Sequence, residues 1–228
     1  SRVLSHLRTP DEAAMLRQSR RITWQRTAGE LGALLLEAQL IKEQQPLFNK
    51  RQRQNRQLCS LRLADARPQV VYASELDFSL QSDLYGLFAN RRAALQALQK
   101  IADEHRLCYG LMGLEPLNRG RACFRSALGR CAGACCGKES VEAHQQRLVD
   151  NMQKMQLVCW PWAGAIALEE SSEDMTQYHI IQNWLWLGAV ESLSQASSLT
   201  RLSAKFDHDG YKILCKPLLS GRYKLHPL

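Results

Sequence analysis

Two groups of residues in this sequence have the types and spacing that chemistry uses. The first centres on a single carboxylate, Glu37, with Asn49 twelve positions further on. One helical turn to either side of Glu37 stand Ala33, Leu34, Leu40 and Ile41, all apolar, so no basic residue a turn away on that helix can pair with it. A carboxylate among such neighbours costs on the order of several kcal/mol unless a metal ion, a cation or a cavity mouth receives it. Two readings stay open: a Glu at the edge of a buried helix face, or a site carboxylate. The second group is thiols. Cys108, Cys123, Cys131 and Cys135 fall within twenty-eight residues, with Cys136 next to the last and Arg119, Arg121, Arg125 and Arg130 close by. Thiolates in a Gly-rich loop suit a soft metal centre, because the Arg charges offset theirs and glycines let backbone N–H groups approach sulfur. Four Cys can also hold zinc, but the two short C-x-x-C knuckles of a zinc ribbon are missing, so iron–sulfur stands ahead of zinc. Reduced, partly buried thiols are the plain alternative.

The elements that must carry these groups read as follows. Thr27 and Glu30 predict a capping box, and the helix it opens, which carries Glu37, must end before Pro46. Thr9-Pro10-Asp11-Glu12 predicts a second capping box and a helix over residues 10–18. RITWQR, residues 21–26, alternates and predicts a strand. Further strands are expected over 58–63, 69–73 and 84–89. Asn90 caps an amphipathic helix over 91–104 with Ala94, Leu95, Leu98 and Ile101 on one face, and Ser140 opens another to about 156. Beyond it, 158–168 reads as a strand pair, and 177–187 and 206–214 as strands. Trp160, Trp162, Trp184 and Trp186 gather here, where packing of a β-rich core is favoured over stacking on bases. His208 between Asp207 and Asp209 could mimic a metal site, but DHDG is turn chemistry and a solvated turn is the plainer account. The expected fold class is α+β.

Apolar content of 45% points to a globular protein. The net charge of +8 favours a polyanionic partner and is concentrated at the front, with thirteen Arg or Lys against six Asp or Glu between Ser1 and Arg67. Lys50, Arg51, Arg53 and Arg56 follow Asn49 directly and form either a solvated basic loop or, the favoured reading, a phosphate-contacting one. No apolar run could span a bilayer and no signal peptide is present, so eight cysteines point to a reducing, cytoplasmic setting. Residues 1–7 read as the interior of an amphipathic helix with no initiator Met and no cap, which predicts that a segment precedes them. Arg2 and His6 share a face of that helix and, taken alone, are ordinary surface residues.

ALLLEAQLIKEQQPLFN, residues 33–49, resembles the helix and following Pro-x-aromatic-Asn of the GIY-YIG nuclease domain in the UvrC family of DNA-excision endonucleases. The resemblance implies that Glu37 binds a catalytic Mg²⁺ or Mn²⁺, that Asn49 helps hold the site, and that Arg2 binds the scissile phosphate. His6 falls where several such nucleases place His or Tyr. The usual general base, a Tyr of the GIY or YIG strand, would lie before Ser1, so this chain alone is expected not to cut DNA. LYGLF at 84–88 resembles the YFGPF-like strand that follows the nuclease domain. RGRAC at 119–123 and GRCAGAC at 129–135 resemble a pattern that some members associate with an iron–sulfur cluster, here a candidate [4Fe–4S] centre on Cys108, Cys123, Cys131 and Cys135. The ending has none of the coiled coil, second nuclease or helix–hairpin–helix repeats of long UvrC proteins and resembles that of a short member of the family. The expected organisation is a truncated GIY-YIG nuclease domain over 1–56, a small α+β Cys-rich middle region over 57–138 and a β-rich C-terminal region over 139–228. Implied partners are damaged double-stranded DNA and UvrB of a damage-recognition complex, with no membrane. The rival reading is a non-catalytic, basic, Cys-rich module that docks to a DNA repair complex.

Overall fold

The computed structural model describes residues 8–46, 57–117, 120–199 and 206–228. Arg2, His6, Asn49, Lys50, Arg51, Arg53, Arg56 and Arg119 lie outside the described residues. Two antiparallel sheets, each packed with helices, make an α+β architecture.

The front of the chain forms a short 3₁₀ turn, Pro10–Glu12, then helix α1, Ala13–Gln18, without a side-chain cap from Thr9. RITWQR is not a strand: Ile22 and Trp24 are 74% and 85% exposed. Alternation alone cannot hold a strand that has no partner to take its backbone hydrogen bonds among the described residues. Helix α2, Glu30–Gln44, carries Glu37 and ends at Gln45, whose left-handed φ of 44° turns the chain out ahead of Pro46. The capping box is overturned as well. The Thr27 hydroxyl donates to the Gly29 carbonyl, and Gly29 supplies no side chain to the helix start.

The middle region is a sheet of β1 (Cys59–Ala64), β2 (Arg67–Tyr72) and β3 (Leu84–Phe88) in the order β2-β1-β3. Helix α3, Arg91–Glu104, has the expected cap, Asn90 accepting from the Ala93 N–H at 3.0 Å. Its Ala94, Leu98 and Ala102 bury against Cys59 and Leu61. Two short helices, α4 (Tyr109–Met112) and α5 (Phe124–Ala127), frame the cysteine loop. Helix α6, Val141–Gln153, opens on Ser140, which accepts from the Ala143 N–H, and sends Leu148 and Met152 into the same core as α3.

The C-terminal sheet runs β6-β5-β4-β7, from β4 (Ile166–Ser171), β5 (Thr176–Gln182), β6 (Leu185–Val190) and β7 (Lys224–Pro227). The expected single strand over 177–187 is a hairpin. Asn183 and Trp184 both sit at positive φ, 53° and 64°, as a two-residue type I′ loop requires. The expected strand at 206–214 is instead helix α7, His208–Leu219, and DHDG is its cap, with Asp207 accepting from the Gly210 N–H at 2.8 Å. Residues 158–165 form no strand. The tryptophans pack: Trp160 and Trp184 are buried, edge to face, 5.2 Å apart. Their core also takes Leu31 and Leu35 from α2, beside Ile166, Leu168, Ile181, Leu214 and Leu218. Helix α2 therefore packs into the core of a sheet that begins more than a hundred residues later.

Candidate functional site

The cysteine loop closes on itself. Cys108 at the start of α4, Cys123 at the start of α5, and Cys131 and Cys135 in the loop beyond bring their four sulfurs within 4.8 Å of one another. Local backbone geometry makes this possible. Gly133 holds a left-handed φ of 94°, its N–H reaches Cys131 Sγ at 3.3 Å, and its carbonyl receives the N–H groups of Cys136 and Lys138. The Cys123 N–H approaches Cys135 Sγ at 3.5 Å. The expected approach of backbone N–H groups to sulfur is present at both places.

Among these arginines, Arg125 acts differently from the expectation. The Arg125 guanidinium lies 3.7 Å over the Tyr109 ring and pairs with Asp103, while it also holds the Arg130 carbonyl. Its charge is thereby taken by a carboxylate, and it braces the loop from outside. Arg106 likewise donates to the Gly129 carbonyl, and Arg147, paired with Glu139, donates to the His105 carbonyl. Below the thiols, buried His144 accepts the Cys108 N–H at Nε2, and burial pushes its pKa down, which keeps the imidazole neutral for that bond.

Burial pushes the Cys108 thiol up and the Cys131 thiol up to about 12. Burial also acts to raise Cys123, but the Ser126 N–H and hydrogen bonds with Cys135, Cys131 and Cys108 outweigh it and leave that thiol below its ordinary value. A metal entering the group would displace protons from these sulfurs. Four convergent thiols, three of them buried, fit a soft metal centre. Tetrahedral zinc with Zn–S of about 2.3 Å sets its sulfurs about 3.8 Å apart, near the spacing seen, and a cubane cluster, which puts an iron at each sulfur, needs them wider. The sulfurs as they stand fit a single tetrahedral ion, and a cubane would need them to spread, so iron–sulfur has no geometric precedence.

Glu37 sits two turns into α2 and is half-buried. The face that packs consists of Leu31, Gly32, Leu35, Ala38 and Ile41, so Glu37 lies on the outer flank. Of its four apolar neighbours, Ile41 is buried and Leu40 is half-buried, while Ala33 and Leu34 are exposed. The described residues thus do not enclose Glu37 in the apolar surroundings expected of it, and the cost of burying it is not incurred among them. Both faces of α2 are apolar, the pattern of a helix covered on two sides. One side meets the C-terminal sheet; the other carries Ala33, Leu34, Glu37 and Leu40.

The residues that sequence reasoning missed are those that fix α2. Glu170, 6% exposed on β4, accepts the Leu31 N–H on Oε1 at 3.0 Å and the Gly32 N–H on Oε2 at 2.8 Å. His179 of β5, 1% exposed, donates from Nε2 to the same Oε2 at 3.0 Å, since an ionised carboxylate can only accept. Burial acts to raise the Glu170 carboxyl, but the bonds from His179, Gly32 and Leu31 outweigh it and hold it below the usual carboxylate range. Around this latch the Ala28 N–H donates to Gln177, and at the far end Lys42 pairs with Asp207 and, at 3.2 Å, with Asp209. One signal was present in the sequence: Glu170 follows the apolar run 165–168 at an inward strand position, where a carboxylate needs a partner.

Comparison with known proteins follows the same division. A UvrC-like GIY-YIG domain matches residues 1–50, the middle domain of UvrC/Cho excinucleases matches 58–154, and the excinuclease Cho C-terminal domain matches 165–228. Proteins named excinuclease Cho from Shigella flexneri and Escherichia coli K12 are each 73% identical to this chain over all 228 residues, which cover 77% of the relative. The UvrABC system protein C of Methanospirillum hungatei is 26% identical over 188 residues, 80% of this chain and 35% of that protein. No solved structure matches. The chain belongs to the UvrC-related excinucleases, on the Cho branch, as its motifs implied. Among the described residues no helix is long and apolar enough to cross a membrane.

Proposed function

We propose that the protein is an endonuclease of nucleotide excision repair that hydrolyses a phosphodiester bond of damaged double-stranded DNA, with Glu37 as its metal ligand. The observation that carries this reading is Glu37 itself. It is a carboxylate midway along a helix with two apolar faces, inside the stretch that matches a UvrC-like GIY-YIG domain. A divalent ion held there, Mg²⁺ or Mn²⁺, would supply positive charge where the phosphorane charge develops. Arg2 would hold two oxygens of the scissile phosphate with its planar fork, His6 would stand beside it, and Asn49 would orient the helix end. Lys50, Arg51, Arg53 and Arg56 would neutralise backbone phosphates and make binding strongly salt-dependent. The cut would be made within a UvrB-loaded damage complex, and the cysteine centre would hold an iron–sulfur cluster or zinc.

Incision of a lesion-bearing duplex by the full-length protein and its Glu37→Ala variant tests the reading. Loss of incision with DNA affinity retained is the expected result. Full incision by Glu37→Ala would refute it, and the docking-module alternative would then stand.

A further inference from the structure

The C-terminal sheet spends a buried carboxylate, a buried imidazole and two close-packed glycine positions on one point of the molecule, the first turn of the helix that carries Glu37. We infer that Glu170, oriented by His179, is a positioning residue of the nuclease site. It fixes the axial position of that helix from outside the nuclease domain. The inference rests on the assignment of Glu37 as the metal ligand.

The geometry is specific to that task. The first N–H groups of a helix have no partner inside it, and the positive end of the helix dipole lies there. Most helices meet this need with a local Ser, Thr, Asp or Asn, yet α2 begins at Gly29 with no side-chain cap. The carboxylate comes instead from β4, 139 residues on, and both of its oxygens take N–H groups of successive residues, Leu31 and Gly32. The glycines are the counterpart. A Cβ on Gly29 would stand 2.4 Å from Glu170 Oε1, and one on Gly32 would stand 2.8 Å from His179 Cε1. Any other residue at either position would move the latch. Glu37 lies five residues beyond Gly32, about 7.5 Å along the helix axis at 1.5 Å per residue. Lys42, a further five residues on, is tied to Asp207 and Asp209 at the start of α7. Glu37 is thus bracketed by two polar anchors, both on the C-terminal region, with Leu35 seated in its core between them. A misplacement of about 1 Å at a reacting group can cost a hundredfold in rate, so a helix held at both ends is a means of placing a metal ligand.

Single-turnover incision by the full-length protein, titrated with Mg²⁺, tests this, with DNA affinity and the folded fraction by circular dichroism measured alongside. Glu170→Ala is expected to slow incision by about tenfold or more and to raise the Mg²⁺ concentration at half-maximal rate, with DNA affinity within about twofold of the parent. Glu170→Gln, which keeps the shape and one acceptor oxygen, is expected to fall between the two, and it decides the matter should Glu170→Ala not fold. The double variant Gly29→Asp with Glu170→Ala places a local carboxylate in the space the distant one leaves. Gly29 has an extended backbone, open to any residue, and this pair is expected to recover much of the lost rate. A rate reduced only in proportion to the folded fraction, with the Mg²⁺ midpoint unmoved, would overturn the inference, as would wild-type incision by Glu170→Ala. Glu37→Ala run in parallel separates the two failures. If it is inactive while the Glu170 variants are unaffected, only the positioning role falls. If it is active, the assignment beneath it falls.

Discussion

The cysteine loop and the Glu37 helix solve the same problem, holding chosen side chains in place, at opposite ranges of sequence. The loop draws its four thiols from twenty-eight residues and shapes them with turns of its own, Gly133 above all. The helix takes its cap from Glu170, its salt bridges from Asp207 and Asp209, and its core neighbours from β4, β5 and α7. A site built locally can be read from its residues and lost by changing one of them. A site built at long range is secured by residues that carry no motif, and it fails by displacement.

Four perturbations sharpen that contrast, beginning with the largest. Cys131→Ser should lower metal content per chain by about tenfold or more, read by elemental analysis and a visible spectrum after anaerobic purification. The tryptophan fluorescence of the C-terminal core should be unchanged, and a parent protein that is colourless and metal-free from anaerobic preparation would remove the metal centre itself. Leu35→Ala, at a residue 2% exposed, should cost about 2–5 kcal/mol in denaturant unfolding followed through Trp160 and Trp184, with the cysteine centre unaffected. Gly32→Ala should destabilise by about 1–3 kcal/mol, because the overlap with His179 and Glu170 outweighs the roughly 1 kcal/mol that Ala gains in helix propensity. An increase in melting temperature would show that the latch yields easily.

The smallest effect concerns pH. Glu170, facing His179 from β5 and the N–H groups of α2, has a folded pKa below its unfolded one. The stability it contributes is present above the unfolded value and is lost as pH falls through the folded one. Unfolding midpoints of the parent should therefore fall on acidification through and below the usual carboxylate range, and Glu170→Gln should flatten that slope. Equal slopes in both proteins would count against an ionised latch.

What was legible in the sequence follows the same line. Asn90 and Ser140 were readable as caps because their partners lie three residues away. Thr27 and Glu30 match the same local pattern, but the helix opens two residues later, on Gly29, and β4 delivers Glu170 to the free N–H groups of Leu31 and Gly32. The segment 206–214 looked like a strand because Phe206, Tyr211 and Ile213 are β-prone, and the helical spacing of Tyr211, Leu214 and Leu218 was obscured by Pro217 in the last turn. The Asn183-Trp184 turn was hidden by Trp at positive φ, a backbone cost that the complete burial of its ring and its bond to the Val158 carbonyl offset. The cysteine grouping was plain from spacing alone. The flank position of Glu37 was not, since both faces of its helix are apolar and only the fold says which one is packed.

A helix whose start is closed by a carboxylate from another region cannot be inherited separately from it. Recombination that moved residues 1–50 onto a different C-terminal sheet would carry Gly29 and Gly32 along, leaving two holes shaped for side chains that no longer arrive. The front and back of this protein are therefore expected to change together over evolutionary time, and a grafted nuclease half would need either a substitute for Glu170 or a cap of its own.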